Sequence, residues 1–155
     1  MTIEILKFIA QAAIAVIGAF LAAHLSMRRF RAEKWWERKS HTYSELVEAL
    51  HRMKWYPSEY IDAAIEHRDI PEEDTADYWK KYKEARRSVW KIADSASFLV
   101  SPKVNEAIIE MERGIGEART SDSSFEHAEQ EYAAIQKCLE KIKELARQEL
   151  GVKNA

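Results

Sequence analysis

FIAQAAIAVIGAFLAAHLSM, residues 8–27, contains no Asp, Glu, Lys or Arg. Twenty such residues in one α-helix are long enough to cross the hydrocarbon core of a bilayer, so the stretch predicts a transmembrane anchor with the rest of the chain tethered to it. Only Lys7, offset by Glu4, precedes it, whereas Arg28, Arg29, Arg31, Lys34, Arg38 and Lys39 follow. Lys and Arg beside a spanning helix stay in the cytoplasm, which predicts a single-pass protein with its N-terminus outside and residues from Arg28 onward inside. A signal peptide carries its positive charge before the apolar run, so the same asymmetry opposes cleavage and export.

Turning each residue of the run by about 100° puts Gln11, Ala15, Gly18, Ala22 and Ser26 on one narrow stripe. Ile14, Ile17, Phe20, Leu21 and Leu25 cover much of the remainder. Small residues let helix backbones approach closely, and Gly18-x-x-x-Ala22 and Ala15-x-x-x-Ala19 have the spacing for it. The stripe predicts helix association and a homo-oligomer, with Gln11 placed to bond to its copy in a neighbour.

Working outward, the charge is unevenly distributed. Residues 1–27 sum to zero and residues 28–39 to +4, with six basic and two acidic side chains; the chain total of −2 therefore leaves −6 for residues 40–155. An acidic domain of this kind is a poor nucleic-acid binder, because neutralising phosphates supplies most non-specific affinity. The intervening collar, RRFRAEKWWERK, fits a membrane interface. Arg28, Arg29, Arg31 and Lys34 lie within reach of anionic lipid headgroups, and Phe30, Trp35 and Trp36 are the residue types of an aromatic belt. Trp35 and Trp36 also suit the start of a cytoplasmic core, a choice their positions leave open.

Four Gly and three Pro in 155 residues indicate long helices and few turns. Beyond the collar, Tyr43, Leu46, Val47, Leu50, Met53, Pro57, Tyr60, Ile61 and Ala64 recur at steps of three and four, the apolar stripe of an amphipathic helix. Pro57 falls in phase with that stripe and predicts a kink in place of a helix end, although a break at Tyr56 is permitted, with a stop near Arg68 before Asp69-Ile70-Pro71. Glu72, Glu73 and Asp74 then suit the positive end of a second helix, whose stripe is Tyr78, Tyr82, Ala85, Val89, Ile92, Ala96 and Leu99. Ser101-Pro102 reads as a cap followed by proline at the first helical position, opening a shorter helix through Val104, Ala107, Ile108 and Met111 that Gly114 and Gly116 weaken. Ser123-x-x-Glu126 has capping-box spacing, and a last helix carries Phe125, Ala128, Tyr132, Ile135, Leu139, Ile142 and Ala146 up to Gly151. The expected fold is all-α: an N-terminal transmembrane helix (1–27), a basic and aromatic collar (28–39), and an antiparallel cytoplasmic bundle of about four helices (40–155).

No pattern for catalysis emerges. Glu48-x-x-His51 has the spacing by which bundles aim a carboxylate and an imidazole at one metal, but it occurs once and Glu48 lies off the apolar stripe. His41 and Glu45 form an ordinary one-turn pair. There is no Gly-rich phosphate loop, G-x-S-x-G, H-E-x-x-H or zinc-binding Cys pair. Arg119 and His127, eight residues apart across a polar loop, do not match the Arg, short spacer and His of small helical RNases. Cys138 borders a core stripe and reads as a small buried hydrophobe. No catalytic, cofactor-binding or metal residue is assigned.

The N-terminal anchor, Trp36 to Lys39, the Tyr43 to Met53 stripe and SFLVSPKV at residues 97–104 together resemble bacterial single-pass proteins with a small cytoplasmic helical domain. The resemblance implies the inner membrane as location and no activity. Two functions are expected: a membrane-anchored, non-enzymatic interaction module binding lipid, its own copies and a partner protein, or an oligomeric pore or membrane-disrupting effector gated by the bundle. A pore needs a more polar lining than one Gln and one Ser, which favours the module.

Overall fold

A computed structural model describes residues 2–152, apart from the side chains of residues 2–6 and 8–15. The elements, in chain order, are α1 (Thr2–Ile65), α2 (Glu72–Ser95), α3 (Pro102–Ala118) and α4 (Ser124–Leu150), and no strand occurs among the described residues. The chain divides into two units, Met1–Glu37 and Arg38–Ala155.

The expected anchor is corrected. Among the described residues, no helix is long and apolar enough to cross a membrane. Residues 8–15 of the expected span lie outside the described side chains. The transmembrane part of the fold, the single-pass inner-membrane location and the outside N-terminus all rested on that span and are not retained.

The helical bundle is present in the second unit. Lys39 faces Glu149 and Lys54 faces Gln136, so α1 and α4 run antiparallel; Lys137 on Glu110 together with Gly114 beside Ala134 shows the same of α3 and α4. The core is built from the stripes read above: Tyr43, Leu46, Leu50 and Met53 of α1, Tyr82, Ala85 and Val89 of α2, Val104, Ile108 and Met111 of α3, and Ile135, Leu139 and Ile142 of α4 are all buried. Burying such side chains stabilises the fold by about 1.5–3 kcal/mol each for the larger aliphatics. α1 continues through Pro57, which is itself buried. α3 runs past Gly114 and Gly116 to Ala118, and at Gly114 an added Cβ would come within 2.9 Å of Ala134 Cβ. That glycine is a contact and not a helix breaker.

Helix ends follow local chemistry. The Glu126 amide donates to Ser123 Oγ at 3.1 Å, and Gly151 closes α4 in the left-handed region at φ 68°. The end of α1 is less comfortable: Arg68 N–H donates to Ala63 O at 3.0 Å and His67 N–H to Ala64 O at 3.3 Å, the Schellman pattern. It places His67, a residue with a Cβ, at φ 52°. His67→Gly relieves that conformation, and we expect a gain of about 0.5–1 kcal/mol, read as a higher urea midpoint at unchanged slope.

At the other end of the bundle, Lys39 Nζ lies 2.7 Å from Glu149 Oε2. The Ser101 hydroxyl makes no capping bond; with Tyr43 Oη it is buried beside the same carboxylate. Burial pushes the Glu149 carboxyl up, but Lys39 and the two hydroxyls outweigh it, and the net pKa falls below the ordinary 4.5. A lowered folded pKa gives stability that is present above the ordinary value and lost as pH falls through the folded one. Glu149→Gln should therefore cost about 1–3 kcal/mol at pH 7 and flatten the acid limb of a stability-against-pH curve below about pH 4.5.

Candidate functional site

The residues expected to act lie in the first unit. Arg28, Arg29, Phe30, Arg31, Lys34, Trp35 and Trp36 are all exposed, as are Gly18, Ala22 and Ser26 of the association stripe. Gln11 and Ala15 lie outside the described side chains. An added Cβ at Gly18 would meet nothing within 4 Å. Large apolar side chains are on the surface here: Val16, Ile17, Phe20 (71% exposed), Leu21, Leu25 and Met27. Lys34 Nζ sits 2.6 Å from Glu37 and 5.9 Å from the Phe30 ring centre, while Phe20 and His24 stack at 6.4 Å. Trp35 and Trp36, about half exposed, belong to this unit and not to the buried core of the bundle.

In the bundle, the positions weighed for chemistry are dispersed. Glu48 and His51 are exposed, Glu48 facing Arg52 at 3.7 Å, and His41 Nε2 lies 3.5 Å from Glu45 on open surface. No group of three His, Cys, Asp or Glu that could hold a metal occurs among the described residues. Cys138 is buried, and burial with the nearby Glu110 and Glu112 pushes its thiol up to about 12. A thiol that stays protonated at neutral pH is a poor nucleophile.

What the sequence did not single out is a polar system between α2, α3 and α4. Arg86 grips Glu112 with both arms of its guanidinium, Nε at 2.8 Å from Oε1, and Trp90 Nε1–H donates to the same Oε1 at 3.0 Å. The hydrogen bond to Glu112 holds the Arg86 guanidinium above its ordinary pKa. One turn of α2 earlier, Tyr82 Oη–H donates to Oε1 of Glu131, a carboxylate only 6% exposed. Burial and then the Glu131 charge push the Tyr82 phenol up, so it remains a donor at all ordinary pH values. The other oxygen, Oε2, has His127 Nε2 at 3.8 Å, beyond hydrogen-bond range.

Glu131 is one wall of a cleft of about 440 Å³ where the start of α2, the end of α3 and the start of α4 meet Tyr56 of α1. Trp79 and Tyr56, with ring centres 5.5 Å apart, form the aromatic side; Arg119, His127 and Glu72 supply the other charged groups. Arg119 and His127, which as a sequence motif matched nothing, are brought to one cleft by the turn between α3 and α4. The available signal was Glu131 itself: three residues after Ala128 and four before Ile135, it is a charge in the buried phase of α4.

No family of known proteins matches the chain, and neither does any curated protein or solved structure.

The Tyr82–Glu131 bond can be tested directly. Tyr82→Phe leaves a buried carboxylate oxygen without its donor, and we expect a loss of about 1.5–3 kcal/mol in denaturant unfolding at pH 7. Pairing it with Glu131→Gln in a double-mutant cycle should recover part of that loss, because a neutral amide is less costly to leave unpaired.

Proposed function

We propose that the chain is a non-enzymatic helical-bundle interaction module that assembles with its own copies through the apolar surface of its first unit. One observation carries this: Val16, Ile17, Phe20, Leu21, Leu25, Met27 and Phe30 are all exposed, in a chain whose second unit buries its own apolar stripes. Contiguous exposed apolar surface of this kind marks an interaction site. A helix that is apolar on every side is stable only when covered. Gly18 and Ala22 provide the close backbone approach that a second copy of the same helix uses. The pore reading depended on the span and is not carried forward.

A separate observation favours a partner protein as well. Trp55, Tyr60 and Trp79 are each more than a third exposed near the turn between α1 and α2, and Trp and Tyr are the residue types that most often dominate binding energy.

The full chain in a mild detergent should give a native mass above that of the 18.0 kDa monomer. Gly18→Ile with Ala22→Ile should raise the dissociation constant at least about tenfold, whereas Ile17→Val with Leu21→Val should change it little. A monomer at every concentration would sink the proposal. If that monomer instead floats with lipid vesicles, the surface belongs to a bilayer and not to a second copy.

A further inference from the structure

The cleft at Glu131 goes beyond self-association, and its contents are unusual for a bundle interior. A carboxylate taken out of water is costly unless a cation and hydrogen bonds compensate it. The other two enclosed carboxylates meet that requirement within the fold: Glu112 holds the Arg86 fork, and Glu149 holds Lys39. Glu131 does not. Its Oε1 accepts from an uncharged phenol, its Oε2 has only the His127 ring at 3.8 Å, and no Lys or Arg ion pair to it occurs among the described residues. Arg119 also lines the cleft, with no ion pair to Glu131 among the described residues.

We infer that this cleft binds a small aromatic or arylalkyl primary amine, its ammonium against Glu131 Oε2 and its ring against the aromatic face formed by Tyr56 and Trp79. Each part follows from what lines the cavity. An oxygen with unused acceptor capacity at low exposure selects a cation bearing N–H, because a quaternary ammonium cannot donate to it. Glu72 and Glu131 supply two carboxylates to the cleft against one guanidinium, Arg119, beside the His127 imidazole. Aromatic walls fit an apolar body, and about 440 Å³ lies within the range of small-molecule pockets. Lys83 Nζ already stands 5.6 Å from the Trp79 ring centre, so this aromatic group tolerates a neighbouring ammonium.

The experiment titrates the full chain with phenethylamine, and separately with 3-phenylpropionate, following heat and the Trp79 indole N–H resonance. Trp79→Phe assigns that resonance. Phenethylamine should bind at one site with Kd of about 1 mM or tighter, and 3-phenylpropionate should not. Glu131→Gln keeps an acceptor for Tyr82 but removes the charge, and should weaken the amine at least about tenfold. Ala76→Lys changes an exposed cleft-lining position of α2, supplies an internal ammonium, and should abolish binding with the fold intact by circular dichroism. Should Glu131→Gln fail to fold, Ala76→Lys decides alone. Saturable binding of the carboxylate in place of the amine overturns the inference, as does no binding of the amine, or amine binding that Glu131→Gln, when folded, or Ala76→Lys leaves unchanged.

Discussion

The second unit depends on how closely α3 and α4 approach. Gly114 faces Ala134 with space for a hydrogen and not for a methyl, since an added Cβ would lie 2.9 Å from Ala134 Cβ. Interaxial distance between packed helices is set by the side chains at the contact, and a Gly–Ala contact places it at the short end. With α3 and α4 drawn together there, Met111, Ile115, Ile135 and Cys138 can close over one another while the outward positions keep ion pairs such as Lys137–Glu110 at 2.7 Å. Tyr43 to Met53 of α1 and Tyr82 to Val89 of α2 then cover the remaining apolar face. A larger residue at position 114 would move two helices apart, and a close-packed core has no spare volume to absorb that.

Most of this bundle was legible because helical periodicity is a local property. The stripes of α1, α2 and α4 contain most of the large buried side chains, although Tyr60 and Ala64 are exposed and buried Ala49, Ala63 and Ala93 lie outside them; Ser123 caps α4, and Pro57, in phase with apolar neighbours, stays inside α1. The errors came where a residue's effect depends on what lies across from it. Gly114 reads as a weak point by propensity and proves to be a packing contact, because propensity carries no information about Ala134. The end of α1 was read a few residues late. A histidine in the left-handed region is a tertiary compromise that no stop signal in the sequence encodes. The cleft was the least legible part: Arg119 and His127 are separated by a loop, Tyr56 and Trp79 belong to different helices, and Glu131, a charge in the buried phase of α4, was not singled out.

The first unit poses the opposite problem. Its apolar residues are plain in the sequence, and the expected consequence, a membrane span, is not found among the described residues. What the described side chains do present is a helical surface from Val16 to Trp36 on which Phe20, Leu25 and Phe30 face solvent. Water does not stabilise such a surface, and the free energy of covering it is available to whatever approaches. Arg28, Arg29 and Arg31 follow directly, so any second copy lying alongside in parallel brings like charges together and any antiparallel one does not. In the proposed assembly, the small residues would set how near two helices come and the basic collar would bear on their orientation.

Three carboxylates within the bundle show what separates a structural polar group from a site. Glu112 is saturated: two guanidinium arms and an indole N–H leave its oxygens occupied, and Arg86 cannot leave without uncovering a charge. Glu149 is held by Lys39 at 2.7 Å, and it fastens the start of the bundle on α1 to the end of α4. Both arrangements tie helices together through a direct pair with a cation. Glu131 ties α4 to α2 with one oxygen through Tyr82, while the other oxygen has no hydrogen bond and borders open volume. A sequence selected for stability alone would place an aliphatic residue at position 131, as α4 does at 135, 139 and 142, because a buried carboxylate is a poor source of stability. The charge there is explained by what it can receive.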